Sequence, residues 1–201
     1  MTWLLVPLAY LLGSFSAAYW AGRWNGIDLR QHGSGNLGAT NAGRVLGGHW
    51  FAVVFLVDVL KGAAPVAAAQ LLHGEAWLLI AVAAAAVLGH VFTCFHGFKG
   101  GKAVATSLGA LIALVPLLAG LTFAVWLAVW LLGWTVFRST RSGAVAPASV
   151  LASLAVPPIR LLTEPAPWSA AQVPVTGFLI ALAVLVVVKH HSNIRRMLVR
   201  S

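Results

Sequence analysis

Charge is the first thing this sequence lacks. Only 8% of its 201 residues are Asp, Glu, Lys or Arg, and just four are acidic: Asp28, Asp58, Glu75 and Glu164. A soluble domain carries roughly 25% charged residues, so a water-soluble globular chain is excluded. Cysteine is nearly absent as well. The single Cys94 rules out an intramolecular disulfide and a cysteine metal cluster, and it reads as a small buried hydrophobe. No internal repeat, low-complexity tract or soluble domain interrupts the chain. The few carboxylates and the histidines fall at no ligand-like spacing, so neither a metal nor a cofactor is expected. No Gly-x-Ser-x-Gly elbow is present to support a Ser-His-Asp triad.

Apolar sequence is what the chain has in quantity. Hydrophobic residues make up 60% of it, and the mean hydropathy is +0.91. A membrane-spanning helix needs about 20 apolar residues. Seven runs approach that length: residues 3–21, 50–72, 77–95, 104–119, 121–137, 145–162 and 175–188, the fourth and fifth divided only around residues 116–120. The expected fold is therefore all-α: one polytopic integral membrane domain over residues 1–201 with seven transmembrane helices. The first run has no basic residue before it and no small-x-small cleavage site after it, so it reads as a retained span.

Lys and Arg fix the expected orientation. Arg23, Arg30 and Arg44 follow the first run, Lys99 and Lys102 the third, Arg138 and Arg141 the fifth, and Lys189, Arg195, Arg196 and Arg200 the seventh. All of these share one face. Lys61 lies within the second run, and Arg160, Glu75 and Glu164 lie at or towards the other face. The charge rule then places the N-terminus outside and the C-terminus in the cytoplasm. The net charge of +9 is scattered among spans, which points to anionic lipid head groups and phosphorylated substrates, not nucleic acid. No obligatory protein partner is evident.

The same division sorts the polar chemistry. The outer connections are short or proline-rich, and His73 there reads as solvated. The longest inner connection, residues 25–49, packs Gly33, Ser34, Gly35, Asn36, Gly38, Thr40, Asn41 and Gly43 together before Arg44. A tight loop rich in backbone and side-chain donors is expected there, with an ordinary surface turn as the alternative. The next inner connection holds Lys99, Gly100, Gly101 and Lys102, with Thr106 after them. Glycine lets the backbone turn its N–H groups toward a ligand, the lysines add point charges, and the following helix offers its positive end. That combination is a phosphate cradle, while a plain basic connection between spans would account for the lysines alone. In the second run Asp58 and Lys61 are three residues apart, hence on one helical face, and an ion pair steadying the site is expected. His190 and Asn193 share a face where the last run ends. His90 and His96 receive no role.

Taken together, Ser34-Gly35-Asn36-Leu37-Gly38-Ala39-Thr40-Asn41, Phe98-Lys99-Gly100-Gly101-Lys102-Ala103-Val104-Ala105-Thr106 and His190-x-x-Asn193 resemble the three motifs of the bacterial acyl-phosphate:glycerol-3-phosphate acyltransferases. Asp58-Val59-Leu60-Lys61-Gly62 is similar as well, and the likeness covers essentially the whole chain. The resemblance implies acyl transfer from acyl phosphate to the sn-1 hydroxyl of glycerol 3-phosphate, giving lysophosphatidic acid and phosphate at the cytoplasmic face of the bacterial inner membrane. It assigns Ser34, Asn36, Lys102, His190 and Asn193 to catalysis. Gly38, Thr40, Asn41, Arg44, Lys99, Gly100, Gly101 and Thr106 are assigned to substrate, with Asp58 and Lys61 in support. Ala103 departs from the glycine usual in the family. Ser142, after Arg141, stands near a family Arg-aromatic-x-Ser pattern without matching it. A polytopic transporter or flippase is the alternative from another class. The soluble-type glycerolipid acyltransferases do not fit, because none of the seven histidines has an Asp four residues later.

Overall fold

The computed structural model describes residues 2–198, with side chains as far as Arg195. Arg200, counted above among the basic residues, lies outside the described residues, and nothing is described of the Arg196 side chain. Two compact units divide the chain between Leu114 and Val115. Among the described residues every regular element is helical.

The first unit holds α1 (Leu5–Ser14), α2 (Ala17–Trp24), α3 (Ala39–Leu46), α4 (Gly48–Leu71), α5 (Ala76–Val91) and α6 (Val104–Leu114). The first expected span is broken: Phe15 is extended, and Ser16 caps α2 by accepting from the Tyr19 N–H at 3.2 Å. A break inside an apolar helix frees carbonyls that no lipid can satisfy. Both are met by buried side chains, the Ser14 carbonyl by Thr93 Oγ1 at 2.7 Å and the Phe15 carbonyl by Lys61 Nζ at 2.8 Å. Two helix crossings are then set by paired glycines. A Cβ on Gly13 of α1 would overlap the Ala86 carbonyl of α5, and one on Gly89 of α5 would overlap Tyr10 of α1. Gly62 of α4 and Gly109 of α6 meet Thr106 and Val59 in the same reciprocal way. Small residues at a crossing let two backbones touch, which is how helices gain van der Waals contact where lipid supplies no hydrophobic drive.

The second unit holds α7 (Pro116–Thr135), α8 (Arg141–Thr163), α9 (Val173–Lys189) and α10 (His191–Leu198). Along α7 the rings of Phe123, Trp126, Trp130 and Trp134 stack in a row, with centroids 6.0, 6.0 and 5.5 Å apart. Trp126 donates to Ser149 Oγ at 3.1 Å and Trp130 to the Arg141 carbonyl at 2.9 Å, tying α7 to α8.

Among the described residues five helical stretches are long and apolar enough to cross a membrane: Thr2–Trp24, Gly48–Leu71, Ala76–His96, Pro116–Thr135 and Arg141–Thr163. The other two expected spans are shorter helices. The fourth ends at Leu114 instead of residue 119, because Val115, which precedes Pro116, leaves the helical region. At 1.5 Å per residue, α6 is roughly 16 Å long, about half the hydrocarbon thickness.

Candidate active site

The expected long loop is in fact two parts, a loop over residues 25–38 and the helix α3. Leu29 and Leu37 anchor the loop in a core with Ala17, Ala18, Ala21, Ala42 and Val54. Its backbone is held by Asn41, whose Oδ1 accepts the Ser34 N–H at 2.7 Å while Nδ2 donates to the Leu29 and His32 carbonyls at 3.1 Å each. Both amide hydrogens are thereby used. Asn41, expected at substrate, also fixes the loop that carries Ser34 and Asn36. On the outer side of the loop, Arg30 forms a bidentate pair with Asp28, Nη2 to Oδ2 at 2.6 Å, and lies over the Tyr19 ring at 5.4 Å. The hydrogen bonds from the Arg30 guanidinium and backbone N–H hold the Asp28 carboxyl down at about 2.

The second loop runs from the end of α5 to α6. Phe98 and Ala103 both take left-handed backbone, φ +59° and +60°. Ala103 does so at the position where a glycine would meet no penalty, an expense of about 1–2 kcal/mol. Gly100 and Gly101 were expected to aim N–H groups at a ligand. They do not: the Gly100 N–H donates to the Val91 carbonyl at 3.1 Å, and the Gly101 N–H to the His90 carbonyl at 3.0 Å. The last carbonyls of α5 need donors, and these amides supply them. What glycine provides here is room. A Cβ on Gly100 would overlap the His90 carbonyl, and one on Gly101 would overlap the His90 ring and stand 2.9 Å from the Leu37 carbonyl.

That last contact joins the first two motifs. Ser34, Asn36, Gly38, Thr40 and Arg44 lie with Lys99, Gly100, Gly101, Lys102 and Thr106 in the first unit, their loops touching at Leu37 and Gly101. Ser34, Arg44 and Lys99 are exposed, and Asn36, Gly38, Thr40 and Lys102 half-buried. Thr106 is fully buried, and its Oγ1 has no hydrogen-bond partner among the described residues. Beneath the second loop the expected pair is formed, Lys61 Nζ to Asp58 Oδ1 at 2.8 Å. His90 joins it, with Nδ1 3.6 Å from the same oxygen. Sequence reading missed His90 because its partner lies 32 residues away on another helix, and no local spacing links them. Among the described residues no three His, Cys, Asp or Glu side chains gather as a ligand set.

The third motif belongs to the second unit. His190 does not share a continuous helix with Asn193. It terminates α9, and the Asn193 N–H begins α10 by donating to the His190 carbonyl at 2.8 Å. The His190 ring is buried, with Nδ1 2.8 Å from the Val186 carbonyl. A carbonyl only accepts, so Nδ1 carries the hydrogen in this contact.

Apolar helices of membrane length, crossed on paired glycines and carrying two touching polar loops with Lys, Arg and hydroxyl groups, define a helical integral membrane protein with a site suited to anions. The sequence profile of the glycerol-3-phosphate acyltransferase family matches residues 3–200. A Synechococcus protein named glycerol-3-phosphate acyltransferase is 45% identical over 204 residues, covering 100% of this chain and 94% of its own. The protein of that name from Aquifex aeolicus is 38% identical, covering 96% and 94%. Crystal structures of PlsY (YgiH), an integral membrane glycerol 3-phosphate acyltransferase, superpose with TM-scores of 0.85 for the glycerol 3-phosphate form and 0.83 for the lysophosphatidic acid form. The first is 37% identical and covers 98% of this chain and 92% of that one. The chain belongs to the integral membrane glycerol-3-phosphate acyltransferases, enzymes of phospholipid synthesis. The transporter alternative falls with that finding.

Proposed function

We propose that the acyl donor is acyl phosphate and that the acyl group goes to the sn-1 hydroxyl of glycerol 3-phosphate. The hydroxyl oxygen bonds to the acyl carbon, the bond from that carbon to the phosphate oxygen breaks, and lysophosphatidic acid and inorganic phosphate leave. Acyl phosphate is a mixed anhydride and already activated, so no enzyme nucleophile is needed. What the reaction needs is fixed cations and donors near two phosphates and a carbonyl oxygen that gains negative charge. The junction at Leu37 and Gly101 is the observation that supports this most, since it brings the loop that carries Ser34 and Asn36 against the residue that precedes Lys102. Lys102 and Ser34 act on the reacting centre, with Asn36. Lys99, Arg44, Gly38, Thr40 and Thr106 hold phosphate and glycerol, and Gly100 and Gly101 shape the turn. His190 and Asn193, assigned from the third motif, hold glycerol 3-phosphate. The hydroxyl proton passes to a phosphate oxygen of the substrate.

The test is turnover of purified protein with glycerol 3-phosphate and either donor. Acyl phosphate should support the reaction and an acyl thioester should not; the reverse would overturn the donor. Lys102→Ala removes a charged hydrogen bond worth about 1.5–3 kcal/mol, so kcat/KM should fall about ten- to hundredfold. Wild-type turnover by a folded Lys102→Ala protein would reduce the loop to a basic connection.

We also propose seven crossings of the bacterial cytoplasmic membrane, N-terminus outside and site facing the cytoplasm. In this topology α6 crosses together with residues 99–103, whose backbone is tied to α5 through the Gly100 and Gly101 N–H groups. On a Cys94→Ala background, an impermeant thiol reagent should label Thr2→Cys in intact cells and leave Ser201→Cys unlabelled. The opposite pattern would invert the orientation.

A further inference from the structure

We infer that His90 is a positioning residue for acyl transfer: it sets the Gly100–Gly101 turn and, through that turn, the place of Lys102. The inference rests on the acyltransferase reading of Lys102 just given. Its geometry is a continuous buried chain. The freed carbonyl of Phe15, between α1 and α2, receives Lys61 Nζ at 2.8 Å; Lys61 pairs with Asp58 at 2.8 Å within α4; Asp58 Oδ1 faces His90 Nδ1 of α5 at 3.6 Å. From His90 the chain reaches the turn twice. The His90 carbonyl accepts the Gly101 N–H at 3.0 Å, and the ring edge at Nε2 and Cε1 lies where a Gly101 Cβ would be. Gly101 in turn abuts the Leu37 carbonyl of the first loop. Lys102 is the next residue.

Two features argue for a positioning role. Asp58 Oδ1 faces the ring at Nδ1 and orients it electrostatically. The ring is buried against Gly101. Its rotamer is fixed from one side by Asp58 and from the other by the glycine turn. A group locked in this way sets geometry, and sub-ångström placement of a cation is worth factors of ten or more in rate.

A double-mutant cycle tests this with purified protein, using whichever donor supports wild-type turnover, so that failure of the donor assignment and failure of this inference are read separately. His90→Phe keeps a ring but loses the polar edge; His90→Gln keeps an amide donor of similar reach. His90→Phe should lower kcat/KM at least about tenfold, and His90→Gln should stay within about threefold of wild type. Lys102→Ala should cost about ten- to hundredfold in the wild-type background and under about threefold in the His90→Phe background, because a misplaced lysine has little left to lose. Equal losses in both backgrounds would make His90 merely structural and overturn the inference, as would a His90→Phe protein with wild-type turnover. Should His90→Phe fail to fold, the same cycle run with His90→Asn, which keeps a donor toward Asp58 but no group against Gly101, carries the same two outcomes.

Discussion

Lys61 and Arg160 are both cations sealed inside long apolar helices, with side chains 5% and 7% exposed, and they are neutralised in different ways. Lys61 has one carboxylate, Asp58, itself only 3% exposed, and one carbonyl. Arg160 has Glu164 at 3.1 Å, which is 24% exposed, and two neutral partners besides: Gln172 Oε1 at 2.6 Å and Thr176 Oγ1 at 3.4 Å. An ammonium is a point charge, whereas a guanidinium spreads its charge over five donors and several acceptors. The first arrangement cannot lose a member; the second can. Location matches this. The Lys61 pair underlies the loop that carries Lys102, while Arg160 fastens the connection between α8 and α9, where Thr176 also donates to the Pro167 carbonyl at 2.8 Å.

The largest expected effect breaks that contrast if it fails. Asp58→Asn leaves Lys61 buried without its countercharge, at a cost of about 3–5 kcal/mol. Glu164→Gln leaves Arg160 its neutral partners and some access to water, so about 1 kcal/mol or less is expected. Thermal unfolding in detergent reads both. Equal destabilisation would erase the distinction, and an Asp58→Asn protein of normal stability without turnover would move Asp58 to the substrate.

A second contrast lies in the glycines. Gly109→Ala forces α6 off the Val59 carbonyl of α4, an overpacking of about 1–3 kcal/mol. Gly177 of α9 has no atom within 4 Å of its would-be Cβ among the described residues, so Gly177→Ala should gain up to about 1 kcal/mol of helix propensity. If both substitutions are neutral, the paired glycines are not what sets the α4–α6 crossing.

Much of this architecture was legible because it depends on composition and local spacing. Apolar length located the long helices, and the i, i+3 spacing of Asp58 and Lys61 gave their pair. Motif order put Ser34 and Lys102 on corresponding loops. What was not legible depended on contacts distant in sequence. The break at Phe15 is stabilised by Lys61 and Thr93 from other helices, so its own sequence reads as continuous. The Gly100 and Gly101 amides looked open because the need of α5 for donors at His90 and Val91 cannot be seen from the loop. The hold of Asn41 on Leu29, His32 and Ser34 likewise could not be read from its own motif. The end of α6 is the exception: Val115-Pro116 was a local signal, and the apolar run on both sides outweighed it.

The smallest expected effect extends the comparison to a pair at the surface. Asp28 and Arg30 form a bidentate bridge in the first loop, with side chains 18% and 47% exposed. Arg30 holds the Asp28 carboxyl down from 3.8 to about 2, first through its side-chain hydrogen bonds and then its backbone N–H, against a smaller opposing effect of burial. A carboxyl whose folded value is lowered contributes stability that is present above its unfolded value, near 4, and lost as pH falls from about 4 towards 2. With the arginine half exposed, solvent screening limits that contribution to about 1 kcal/mol or less. Asp28→Asn should therefore be slightly less stable than wild type at pH 6, and the gap should narrow by pH 3. Salt should shrink it too, since an exposed pair is screened where the Lys61 pair is not. A gap that stays constant from pH 6 to pH 3 would mean that Asp28 steadies the loop through the shape of its turn, with its charge contributing nothing.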